Sequence, residues 1–258
     1  MNLIGHFACA QALPQSGQLG ALLPDVLALY SRRARIPALL AHWEAQPETA
    51  SAAAPVLGGV RFHLHVDRVF HKHPLFTETA RALRETLQAA SDTPGLKRFF
   101  PAHVLTELYY DHLLLHGSPR LPDAFHAVLR DARDQALAFA EPHPAVERES
   151  LAAFLTRMVE GRFADAYLDF PGIFRRMNRM LGAHGQRELE AAETEAVRKR
   201  LTAHEATLRQ ELAAFVADMQ HWSKAGGADA PTVRAPYTVG ADDARVAEAT
   251  GELGRHIS

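Results

Sequence analysis

A single cysteine, Cys9, leaves this 258-residue chain without an intrachain disulfide or a thiolate-rich zinc site. Any metal it holds must be gripped by imidazoles and carboxylates. No stretch approaches the roughly 18 apolar residues needed to cross a bilayer, and the opening Met-Asn-Leu-Ile-Gly-His lacks the basic head and apolar run of a secretory signal. The expectation is a cytoplasmic protein that does not enter the membrane. Excess charge of one sign is also missing. The 28 basic and 30 acidic residues give a formal net charge of -2, so no bulk field favours nucleic acid or a membrane surface.

Strand-like alternation is scarce. Apolar residues recur instead at helical spacing, as in Leu105, Leu108, Tyr109, His112 and Leu115, or Leu151, Phe154, Leu155, Met158 and Val159. This periodicity predicts helices over roughly 18–32, 36–45, 56–72, 75–90, 94–116, 122–140, 144–159, 161–182 and 187–224. Thr93-Pro94-Gly95, Gly117-Ser118-Pro119 and Glu141-Pro142-His143-Pro144 mark joints between them. The predicted fold is an all-α, single-domain helical bundle over residues 1–224. A loosely ordered tail is predicted over 225–258, where glycines give way to an apolar-poor segment.

Chemistry concentrates between Gly59 and Pro74, which hold four histidines and Asp67. On a helix, His63, Asp67 and His71 recur every four residues and project from one face, close enough for at least two of them to share an ion. His65 falls outside that row. Three further places offer ligands. His6 lies in an apolar stretch, where a buried imidazole needs a hydrogen bond or a metal. Asp25, between Pro24 and Val26, reads equally as a helix cap or as a carboxylate in need of a partner. Glu107 and Asp111 stand one turn apart with His112 adjacent, a spacing that chance also produces. Imidazoles mixed with carboxylates suit manganese, iron, magnesium or zinc, and without thiolates a catalytic ion with open water positions is the natural reading.

Taken together, these residues resemble the acyl carrier protein phosphodiesterases, a family also called acyl carrier protein hydrolases and related in fold to the HD-domain phosphohydrolases. Met1-Asn2-Leu3-Ile4-Gly5-His6 is similar to the family's opening Met-Asn-Phe-Leu-Ala-His, and Gly20 to Asp25 to its next motif. The fullest match is to a Gly-Ile-x-Leu-His-x-x-Ile-Asp-x-Phe-Thr-Asp-x-His-Pro pattern, met by Gly59, Val60, Phe62, His63, Val66, Asp67, Val69, His73 and Pro74. Asp111-His112 resembles a later Asp-x-x-x-Asp-His element, and Arg175-Arg176-Met177 with Arg179 an Arg-rich stretch. Two positions depart from the pattern: His71 and Glu107 stand where the family carries aspartates.

The resemblance implies an HD-like, metal-dependent phosphodiesterase of fatty acid biosynthesis that releases 4′-phosphopantetheine from acyl carrier protein. It implies a divalent ion, manganese before magnesium, iron or zinc, held by His6, Asp25, His63, Asp67 and Asp111. His71, His73 and His112 would then serve as catalytic donors. Arg61 and Arg68 flank the metal segment and could clamp phosphate. Arg175, Arg176 and Arg179, like Arg32, Arg33 and Arg35, could dock the acidic carrier or simply face solvent. Two rival readings are an HD-type enzyme acting on a nucleotide or other small phosphoester, and a binding protein that keeps its ligands but has lost the reaction through His71.

Overall fold

The computed structural model describes residues 1–45 and 47–224. Among these it contains twelve α-helices and no strand, the all-α class that the periodicity predicts. None of these helices is long and apolar enough to cross a membrane. The tail expected over 225–258 lies outside the described residues.

The chain opens with a helix that periodicity misses. α1 (Leu3–Cys9) is buried along its whole length, so no polar face alternates with an apolar one. Seven residues are too few to hold a helix in water, and tertiary packing must supply its stability. α1 packs on α2 (Gln15–Tyr30), α6 (Phe99–Gly117) and α12 (Glu205–Lys224). Asn2 makes no side-chain cap at its start. Asp111 of α6 takes that task instead, accepting the amide hydrogens of Gly5 at 2.9 Å and Ile4 at 3.4 Å.

α3 (Ile36–Glu44) precedes α4 (Pro47–Phe70), which begins earlier than its apolar pattern and so absorbs the Ala-rich stretch before Pro55. Pro74 ends the run after α4 by opening α5 (Pro74–Ala90) at its first position, where a missing amide hydrogen costs nothing. The span expected at 122–140 is two helices, α7 (Leu121–Asp131) and α8 (Arg133–Ala140), with Ala132 between them outside helical geometry. α9 (Arg148–Glu160) follows. α10 (Phe170–Ala183) starts later than expected because Asp169 caps it through the Gly172 amide. The long final span divides into α11 (Ala191–Thr202), begun by a Glu190–Glu193 capping box, and α12.

The closest helix crossing positions the site. α2 and α4 meet at Gly20 and Gly59. A Cβ added at Gly20 would lie 2.9 Å from the Gly59 Cα, and one added at Gly59 would lie 2.8 Å from the Gly20 Cα and collide with the Gly17 carbonyl. Only a residue without a side chain permits that approach. One turn beyond Gly59, the His63 ring reaches Ala21 of α2, donating from Nδ1 to its carbonyl at 2.8 Å. Neighbouring Gly58 faces open space.

These two adjacent glycines predict opposite outcomes. Gly59→Ala should destabilise the protein by about 1–3 kcal/mol through overpacking of backbone. Gly58→Ala should stabilise it by about 0.5–1 kcal/mol by removing an unnecessary helical glycine. Denaturant unfolding of both variants checks the pair, and equal effects would contradict the crossing.

Candidate metal centre

Three elements converge on one polar cluster inside an otherwise apolar bundle. α1 contributes His6, α2 Asp25 and α4 both His63 and Asp67. His6 is fully buried and His63 nearly so, and their rings lie 3.7 Å apart, centroid to centroid. The ligand-capable atoms of His6, Asp25 and His63 fall within 4.8 Å of one another.

The hydrogen bonds fix which nitrogen of each ring is free. His6 Nδ1 lies 2.9 Å from Asp25 Oδ2 and donates to that carboxylate. His63 Nδ1 faces a carbonyl, which can only accept, and therefore donates too. Each ring then carries its lone pair on Nε2. His6 Nε2 is buried with no hydrogen-bond partner and stands 3.7 Å from Asp67 Oδ1. Such an orphaned group costs about 1–3 kcal/mol unless something fills the gap. Imidazoles whose outer N–H is tied to a carboxylate or carbonyl are the usual form of metal-ligating histidine.

Electrostatics keep these ligands in binding form. Burial pushes the His6 pKa down to about 3, helped by the Met1 ammonium. Burial, with His6 close by, takes His63 down to about 4. Both rings are neutral at physiological pH. Burial raises the Asp25 carboxyl to about 6, against the pull of His63 and the Met1 ammonium. Asp67 is also raised by burial, but the ammonium and His71 more than offset this and hold it well below the carboxylate range.

A second group adjoins the first. The α-ammonium of Met1 is 1% exposed and bridges Asp67 Oδ1 and Glu107 Oε1, at 3.0 Å each. His71 follows the end of α4 and donates from Nδ1 to the Asp67 main-chain carbonyl at 2.9 Å. Its Nε2 lies 3.1 Å from Glu107 Oε1 and 3.2 Å from Nε2 of His103. Burial opposes charge on His71, yet its bonds to Asp67 and Glu107 lift its pKa to about 9. Burial likewise opposes the Glu107 charge, and the ammonium, His103 and His71 outweigh it, keeping that carboxyl well below its ordinary value.

Comparison with known proteins completes the picture: residues 1–219 match the family described as acyl carrier protein phosphodiesterase. The chain belongs to that family. Membership implies a hydrolase acting on a phosphodiester, with acyl carrier protein as substrate. No curated protein and no solved structure gives a significant match. Within this acyl carrier protein phosphodiesterase family member, the two positions that depart from the resembled pattern, His71 and Glu107, touch each other.

Several residues expected at the site have other tasks. Asp111 is fully buried, and its two oxygens receive the amide hydrogens of Ile4 and Gly5 on α1. Burial raises its pKa, against those two amides. The His112 ring donates to the Tyr167 carbonyl at 2.9 Å, and the charged groups that act on it are His116, Glu205 and Arg209, none of them in the cluster. His73 caps α5, accepting the Leu75 amide hydrogen at 3.2 Å. Asp25 lies inside α2 rather than at its start, so the cap reading fails. His65 stacks on Trp222, away from the ligand row.

The arginines divide as well. Arg61 and Arg68 lie about 120–140° round α4 from the His63–Asp67 row, and Arg61 pairs with Glu44 instead. Neither is placed to clamp a phosphate at the cluster. Arg175 and Arg179 are exposed on α10, whereas Arg176 is half-buried with its guanidinium 4.4 Å over the Phe163 ring. Sequence reasoning misses His103 and the Met1 ammonium. His103 carries a legible signal, one turn before Glu107 on α6.

The capping task of Asp111 is open to measurement. Asp111→Ala strands two buried amides, and denaturant unfolding should show a loss of about 1–3 kcal/mol. Unchanged stability would contradict it.

Proposed function

We propose that this protein hydrolyses the phosphodiester joining 4′-phosphopantetheine to a serine of acyl carrier protein, with a divalent cation held by His6, Asp25, His63 and Asp67. One observation carries the metal part of this reading: the buried, partnerless Nε2 of His6, beside His63 and facing Asp67. Two neutral imidazoles and two carboxylates suit manganese, iron or zinc, and manganese is the first expectation. The HD-type architecture implied by the resemblance belongs to the same proposal.

A cation bound there would acidify a water and neutralise charge on the phosphoryl oxygens. The protein's own groups do the rest. Asp25 and the Ala21 carbonyl orient the two imidazoles through their Nδ1 hydrogens and fix both tautomers. Asp67 contributes an anionic oxygen whose charge the Met1 ammonium and His71 stabilise. The apolar helices around α1 exclude bulk solvent from the inner side of the cluster.

Carrier docking falls to basic residues outside the cluster. The guanidinium of Arg32 donates to the Ala183 carbonyl at 3.2 Å, which brings the loop after α2 to the end of α10, one turn beyond Arg179. Arg33, Arg175 and Arg179 are exposed on these neighbouring elements. An acidic carrier would meet a local positive face on a nearly neutral protein.

Incubating holo-acyl carrier protein with the chelator-treated enzyme plus manganese, and following phosphopantetheine loss by intact mass, tests the whole reading. His63→Ala should lower turnover by at least about 100-fold while keeping helicity. Reversing charge at Arg175 and Arg179 together should raise KM and leave kcat nearly unchanged. Full activity without metal would defeat the cation. Charge reversal without effect would point to a small phosphoester as substrate.

A further inference from the structure

We infer that His71, His103 and Glu107 form a second divalent-cation site, imidazole-rich and suited to zinc. The site adds to the proposed function and does not depend on the first ion.

Distances carry the inference. His71 Nε2, His103 Nε2 and Glu107 Oε1 are separated by 3.1, 3.2 and 3.4 Å. Around an ion with bonds of about 2.0–2.1 Å, adjacent donors stand about 2.9–3.4 Å apart, from octahedral to tetrahedral geometry. The three atoms therefore outline one face of a coordination polyhedron. An ion bound there would take the place of the proton that His71 Nε2 shares with Glu107. Glu107 Oε1 has two lone-pair directions, yet three nitrogens approach it, the Met1 ammonium at 3.0 Å and the two imidazoles at 3.1 and 3.4 Å. An ion joining the imidazoles to the carboxylate relieves that crowding. The ammonium keeps its place on the side towards Asp67, to which it is also bonded.

The rings are held ready. They stack at 17° with centroids 4.9 Å apart, and Phe76 meets both edge-on, at 4.6 Å from His71 and 4.8 Å from His103. The bond from His71 Nδ1 to the Asp67 carbonyl fixes the nitrogen that faces the site. Side-chain exposures of 28% for His71, 24% for His103 and 17% for Glu107 leave an entry path that the fully buried His6 lacks. Two nitrogens and one oxygen favour a borderline ion over magnesium or calcium.

Zinc titration of the chelator-treated full-length protein, by calorimetry and by elemental analysis after desalting, tests this site. The wild type should bind two equivalents, and His103→Gln and His63→Ala one each, with helicity checked by circular dichroism. Loss of one equivalent in His103→Gln also supports the site if the wild type binds only one and His63→Ala retains it; that result would remove the first ion alone. Zinc content unchanged by His103→Gln overturns the inference and leaves the first site standing. No zinc bound by the wild type overturns it as well. Imidazole nitrogen resonances in the wild type give a readout free of mutation: zinc should shift Nε2 of His71 and His103, and unmoved signals would reject the site.

Discussion

Everything at the site depends on two backbones that touch. The Gly20–Gly59 crossing sets the distance between α2 and α4 and the rotation of α4 about its axis. With Gly59 pinned, His63 lies one turn on and Asp67 two, both on the face turned to α1 and α2. Pro24 has no amide hydrogen to offer the Gly20 carbonyl, and the next carbonyl, Ala21, receives the His63 ring. A side chain at either glycine would move the Ala21 carbonyl away from the His63 ring that it orients.

The second constraint is charge in a confined space. Asp67 and Glu107 share one small polar space, and the Met1 ammonium and His71 supply the positive charge that holds both ionised. His6 and His63 are pressed the other way, into neutral bases. The cluster thus separates lone pairs on one side from compensated carboxylates on the other. That division is what a cation site requires before the ion arrives. Asp111 serves the same end indirectly, because α1 carries His6 and its first amides depend on that carboxylate.

Much of this was legible in the chain itself, for physical reasons. The four-residue spacing of His63, Asp67 and His71 is a property of the helix, so the ligand row follows once α4 is helical. The resemblance to acyl carrier protein phosphodiesterases, matched over residues 1–219, turns His6 and Asp25 into expected ligands, a role that their apolar settings alone leave open. What could not be read is non-local. α1 has no amphipathic signature because every side is buried. Asp111 looks like a ligand by its motif and serves as a cap for amides more than a hundred residues away in sequence. His73 accepts the Leu75 amide hydrogen and His112 donates to the Tyr167 carbonyl, contacts that their motifs do not announce. His103 has Glu107 one turn on within its own helix, and the folding of α6 against the end of α4 adds His71, which local spacing does not show.

The central claim is that His6, Asp25, His63 and Asp67 surround a divalent ion. Crystals soaked in manganese and measured for anomalous scattering test it most directly. The account predicts a peak within bonding distance of His6 Nε2 and His63, with Asp25 or Asp67 completing the set. A cluster that stays free of manganese at saturating concentration, with His6 Nε2 still unpartnered, would contradict it.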